Sequence, residues 1–167
     1  MKRLLLLWIA LAGLMAAQQS KTIIIVRHAE KMSEAADAEL SPAGLKRAQC
    51  LAETLKDAGV GAIYTSEVKR TQQTAEPLAK ARSLQPNAIP ARDEAKLVES
   101  VLKDTGQRVL IVGHSNLIPD IVKRLGAGEV PPMGATEYDR MILVMTTDGR
   151  AQPAVTLRYC DALPAAK

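Results

Sequence analysis

A chain of 167 residues is long enough for one domain with a real core and hardly for two. Its 47% apolar and 24% charged residues are those of an ordinary globular protein. Aromatics are confined to Trp8, Tyr64, Tyr138 and Tyr159, and the net charge of +4 includes no long basic run, which excludes a base-stacking nucleic-acid surface and offers no polyanion footprint. The first 20 residues, MKRLLLLWIALAGLMAAQQS, stand apart: a basic start, an apolar stretch from Leu4 to Ala17, and small residues at Ala16 and Ala17. This is the pattern of a secretory signal, too short for a comfortable membrane span. The expected organisation is a signal peptide over 1–20, cut near Ala17, and a single domain over 21–167. The expected location is periplasmic or secreted, with no membrane contact after cleavage. An exported chain could join its two cysteines, Cys50 and Cys160, but their spacing leaves the pairing open.

The domain reads as alternating strands and helices. Thr22–Val26 is a buried strand. SPAGLKRAQCLAETLKDAG, 41–59, is a helix with Ser41 as N-cap, Pro42 in the first position and Gly59 as the stop. Leu45, Ala48, Leu51, Ala52 and Leu55 share its apolar face. Gly61–Thr65 is a short strand, and Ser66 is positioned to cap a helix reaching Arg82. Asn87–Ala91 is a weak strand, Asp93–Asp104 a helix, Val109–Val112 a strand. Ser115–Leu125 is a helix interrupted early by Pro119. Met141–Thr146 and Ala154–Tyr159 form an antiparallel hairpin around the Asp-Gly turn of TDGR. The expected fold is α/β, a three-layer sandwich. Its central sheet is mainly parallel with an antiparallel edge strand, and helices cover both faces.

Only two histidines occur, His28 and His114, and each follows directly on an apolar strand, in KTIIIVRHAEK and in RVLIVGHSN. In parallel sheets ligands bind beyond the carboxyl ends of the strands. Two equivalent strand-end positions therefore point to a shared site. Glu30 with both histidines could hold a metal, but Arg27 beside them would repel one. The same guanidinium suits phosphate, and a neutral imidazole can attack phosphorus. Arg70, in YTSEVKRTQQTA, lies near a helix start at the same end of the sheet. It reads equally as a phosphate ligand or as a solvated residue like its neighbour Lys69.

VRHAEK, YTSEVKRTQQTA and IVGHSN, in this order, resemble the histidine phosphatase superfamily, with its phosphoglycerate-mutase-like fold. The family's Arg-His-Gly signature stands here as Arg27-His28-Ala29. The resemblance spans Lys21 to Tyr159. It implies a metal-independent phosphatase without cofactor, acting on phosphomonoesters or phosphoramidates. His28 would be the phosphorylated nucleophile, and Arg27, Arg70 and His114 the rest of the phosphate pocket. Glu30 matches a family acidic position of less certain role. Asp93, in PARDEAKLVE, is the candidate proton donor, with Glu94 and Glu99 behind it, though it serves equally well as a helix cap. The short span from Arg70 to His114 leaves no room for a helical lid. It implies an open pocket like that of the compact phosphohistidine-phosphatase-like members, suited to a small phosphorylated substrate or an exposed phosphate. A mutase is disfavoured, because re-orienting an intermediate favours a closed site. The alternative is a catalytically weak phosphate-binding module on the same fold. EYDR, 137–140, falls at the pocket rim or in a capped loop.

Overall fold

The computed structural model describes residues 19–160. The expected cleavage near Ala17 therefore lies outside the described residues, and Ser20 already belongs to the first strand. In chain order the elements are β1 (Ser20–Arg27), α1 (Pro42–Leu55), β2 (Ala62–Thr65), α2 (Lys69–Arg82), β3 (Asn87–Ala88), α3 (Glu94–Lys103), β4 (Arg108–Gly113), α4 (Ile118–Arg124), β5 (Arg140–Thr147), β6 (Arg150–Ala151) and β7 (Val155–Arg158). They build one sheet in the order β3-β2-β4-β1-β5-β6, with β7 also paired to β5. β3, β2, β4 and β1 run parallel, and β5 is antiparallel to β1.

β1 explains the layering. Ile23 and Ile25 pack with Val98 and Val101 of α3 and with Ile118, Ile121 and Val122 of α4. Ile24 and Val26 pack with Leu51 and Leu55 of α1 and with Ala75 and Leu78 of α2. Both faces of the strand are covered, so it has no polar face and reads as an unbroken apolar run. Removing these four side chains from water contributes on the order of 8 kcal/mol before the entropy of ordering is subtracted.

The expected three-layer α/β fold is present, with several differences of detail. The antiparallel part is wider than one edge strand: β5 lies inside the sheet, and both β6 and β7 pair with its outer side. The Asp-Gly turn is as expected, with Asp148 (φ 49°) and Gly149 (φ 76°) between the paired Thr147 and Arg150. α1 is capped by Ser41, whose hydroxyl accepts from the Gly44 amide at 3.1 Å. It stops at Leu55, and Gly59 takes its left-handed φ of 64° in the turn that follows. Leu45 is 51% exposed, and Arg47 takes the inward place instead. Ser66 does not cap α2, which begins at Lys69; Asp37 from the 31–40 loop accepts the Lys69 amide at 2.8 Å. Pro119 sits in the first turn of α4, where no amide hydrogen is needed, so it starts that helix rather than interrupting it. A disulfide joins Cys50 on α1 to Cys160 just after β7.

Candidate active site

The site begins with strand register. β1 and β4 are parallel neighbours with Arg27 opposite Gly113, so His28 and His114 leave the same sheet edge side by side. The His28 amide donates to the Gly113 carbonyl at 2.9 Å, extending the ladder one step. The two rings meet edge to face, with centroids 5.3 Å apart, and both side chains are buried.

The His28 ring is held through Nδ1, 2.8 Å from the Ala29 carbonyl oxygen. A carbonyl can only accept, so Nδ1 carries the hydrogen and Nε2 keeps its lone pair. The pKa of His28 falls to about 4. Burial is the main cause; the Ala29 carbonyl works against it, and His114, Arg70 and Arg27 add to it. His28 is therefore a neutral imidazole near pH 7. His114 is also lowered to about 4, first by burial and then by Arg70 and Arg27, with Glu67 opposing. Its Nε2 lies 3.0 Å from the Ser66 hydroxyl.

Two arginines face the pair. Arg27 donates from one terminal nitrogen to the carbonyls of Gly134, Ala135 and Glu137, at 2.9, 3.0 and 3.1 Å. Its guanidinium lies 4.0 Å over the Tyr138 ring, a cation–π contact. The segment 134–138 thus belongs to the site, clasping Arg27. Arg70 donates to the Ala36 carbonyl at 2.7 Å, which ties it to the 31–40 loop. In both arginines Nε is buried and donates to no acceptor among the described residues. Two cationic forks with free buried donors beside a neutral imidazole form an environment for a tetrahedral oxyanion.

The carboxylates have other partners. Both oxygens of Glu30 accept from Arg47, with contacts of 2.8 to 3.1 Å, and α1 packs so closely there that a Cβ on Gly44 would collide with the Glu30 carbonyl oxygen. Glu30 thus anchors the His28 loop to α1. Asp93 accepts from the Lys96 amide at 3.2 Å as the N-cap of α3, Glu94 faces Arg124 and Glu99 pairs with Lys103. The carboxylate that acts on His114 is Glu67. Among the described residues, no group of three or more His, Cys, Asp or Glu could hold a metal ion.

Sequence reasoning passed over Glu67, Thr71 and Thr74, read Ser66 only as a helix cap, and offered Tyr138 only within the rim candidate EYDR. Thr74 accepts from the Ala29 amide at 2.9 Å and so fixes the peptide that follows His28. A signal existed: Thr71 and Thr74 are hydroxyl residues on the buried stripe of α2, beside Ala75 and Leu78. A hydroxyl on an apolar stripe needs a partner, and these find theirs at the site.

Residues 23–99 match the family model of the histidine phosphatase superfamily (branch 1). Solved structures share the fold. The protein histidine phosphatase SixA, complexed with tungstate, superposes with a TM-score of 0.68 at 22% identity, over 82% of this chain and 96% of that one. A mycobacterial glucosyl-3-phosphoglycerate phosphatase gives 0.62 at 17% identity, over 84% and 98%. A phosphoserine phosphatase mutant from Entamoeba histolytica, in complex with phosphoserine, gives 0.60 at 16%, over 84% and 97%. A search of curated proteins found no match. The chain thus shares the fold of these phosphatases, and its residues 23–99 resemble the histidine phosphatase superfamily.

Proposed function

We propose that the chain is a metal-independent phosphatase that hydrolyses phosphomonoesters or phosphoramidates through a phosphohistidine on His28. One observation carries this reading. His28 is neutral, and among the described residues its Nε2 lone pair has no partner and Arg27 and Arg70 beside it hold unpartnered Nε donors. In the proposed reaction the two guanidiniums and His114 grip the phosphoryl oxygens. Nε2 of His28 attacks phosphorus, the leaving group departs, and water then hydrolyses the nitrogen–phosphorus bond. The relatives support a small phosphorylated substrate or an exposed phosphate group, since SixA is a protein histidine phosphatase and another structure holds phosphoserine.

A second reading, a phosphate-binding module with weak turnover, is favoured by Asp93, Glu94 and Glu99 all being engaged on α3. A labelled aryl phosphate separates the two. Its leaving group needs little protonation, so a working nucleophile should yield acid-labile label on the protein, absent from His28→Ala. Label on another residue, or phosphate binding with no label at all, would sink the phosphatase reading. We also propose that the protein works outside the cytoplasm, supported by the pattern of residues 1–20 and by the Cys50–Cys160 disulfide. Expressed in a bacterium, it should be found in the periplasm and shortened near Ala17; a full-length cytoplasmic product would count against this.

A further inference from the structure

Behind His114 a line of hydroxyl groups runs into α2. His114 Nε2 lies 3.0 Å from Ser66 Oγ, Ser66 Oγ lies 2.9 Å from Thr71 Oγ1, and Thr71 Oγ1 lies 2.8 Å from the Val68 carbonyl oxygen. Ser66 is 5% exposed and Thr71 fully buried. The last member is a main-chain carbonyl, which has no hydrogen to give, and each hydroxyl has one. Thr71 therefore donates to Val68, Ser66 donates to Thr71, and the hydrogen between His114 and Ser66 comes from the ring. Every other arrangement leaves two oxygens, or an oxygen and a ring nitrogen, in contact without a hydrogen between them. The Ser66 carbonyl, a second neighbour of Thr71 at 3.2 Å, is also an acceptor and changes nothing.

We propose that Ser66, held by Thr71, is a positioning residue that fixes His114 with its hydrogen on Nε2, so that Nδ1 is the atom that takes and gives the proton of the leaving group. This rests on the phosphatase reading above and supplies the proton donor that it lacks. Nδ1 has no hydrogen-bond partner among the described residues. The charged and titratable groups acting on the ring are Arg27 and His28 from the β1 end, Arg70 from α2, and Glu67 from the turn before it. Burial first, and then Arg70 and Arg27, keep His114 unprotonated in the free protein. The proton therefore arrives with the substrate, since a phosphate monoester loses its second proton near pH 6. The P–OH of the monoanion donates to Nδ1. His28 Nε2 then forms a bond to phosphorus, the ester P–O bond breaks, and the departing oxygen takes the proton from Nδ1. The products are a neutral alcohol and a phosphohistidine whose Nδ1–H stays on the Ala29 carbonyl. Charge and protons balance, and the Ser66 contact is kept in both states of His114.

The chain has two histidines, so nitrogen-15 spectra of the full protein contain two ring systems, and His28→Ala assigns them. At neutral pH the expected result is opposite tautomers: hydrogen on Nδ1 for His28 and on Nε2 for His114. Thr71→Val, which frees the Ser66 hydrogen to face the ring, should move the His114 hydrogen to Nδ1. A His114 found with its hydrogen on Nδ1 in the unaltered protein would overturn the proposal without any activity assay. For proton delivery, Ser66→Ala is compared on two esters, with thermal melts to show that it folds. Turnover of an alkyl phosphate should fall on the order of a hundredfold, and that of an aryl phosphate far less. Equal losses on the two esters would overturn proton delivery from Nδ1. No turnover of either ester by the unaltered protein would instead overturn the phosphatase reading, while the tautomer spectra still decide the role of Ser66.

Discussion

If Arg70 grips the phosphoryl group, Arg70→Lys should fail although the charge is kept. One guanidinium nitrogen is committed to the Ala36 carbonyl at 2.7 Å, while Nε remains free and buried. Arginine can therefore hold the 31–40 loop and an oxyanion at once. Lysine has a single nitrogen and must choose, and it offers no planar two-bond edge. Losing one charge-assisted contact to a transition-state oxygen costs on the order of 3 kcal/mol, about a hundredfold in rate. Lys69 is the internal control. Its ammonium pairs with Glu39 at 3.2 Å, and both side chains are about half exposed. Such a pair contributes roughly 0 to 1 kcal/mol to stability. The Lys69 contact to Asp37 comes from the main-chain amide and survives replacement. Successive helix residues point about 100° apart, so Lys69→Ala should leave turnover nearly unchanged. The measurement is aryl phosphate turnover by both variants, with thermal melts to exclude unfolding. Damage from Lys69→Ala beside near-normal Arg70→Lys would put the pocket on the wrong face of α2.

Acid should impair activity and stability together. His28 and His114 are held near 4 in the fold against an ordinary value of 6.5, so the unfolded chain binds more protons between those pH values. Stability is then full above about 6.5 and is lost as pH falls toward 4, on the order of 3 kcal/mol per histidine at most. Denaturation curves across this window should steepen in the unaltered protein and flatten in His28→Ala and His114→Ala; parallel curves would refute the buried-neutral assignment. Reducing Cys50–Cys160 opens a loop with a sequence separation of 110, for which chain entropy predicts a loss of about 4 to 5 kcal/mol. Thermal unfolding with and without reductant measures it, and an unchanged midpoint would show that the bond is not formed in solution. Gly44→Ala should destabilise the fold and lower turnover, since its Cβ would force α1 away from the Glu30 carbonyl that follows His28; a variant with normal melting and normal turnover would contradict that packing.

What the sequence made legible was set by strand burial. β1 and β4 are covered on both faces, so their apolar runs are unbroken and their ends are sharp, and the histidines stand at those ends. The margins were harder. β3 has two exposed residues, too few for any alternation to register. Arg47 carries no local sign of burial, because its burial depends on a partner, Glu30, 17 positions away. Ser66 carried a genuine capping signature, yet its hydroxyl went to His114, 48 residues on. A side chain with two suitable partners goes where the tertiary structure puts the stronger one, and local pattern cannot rank them. Segment 137–140 stayed open between pocket rim and capped loop for the same reason: the contacts of Arg27 with the Gly134, Ala135 and Glu137 carbonyls span 107 to 110 residues and leave no local trace.

The two histidines also show how folding and reactivity draw on one physical cause. A buried imidazole beside two arginines cannot easily hold a proton, which keeps His28 neutral. The same burial would leave Nδ1 of His28 unsatisfied but for the Ala29 carbonyl, and Nε2 of His114 unsatisfied but for Ser66. Each ring is thus bound by one nitrogen and free at the other. The bound nitrogens differ, Nδ1 in His28 and Nε2 in His114, because one partner follows in the same loop and the other comes from the start of α2. A phosphoryl group entering between the rings would meet a lone pair on each, one to attack phosphorus and one to carry a proton.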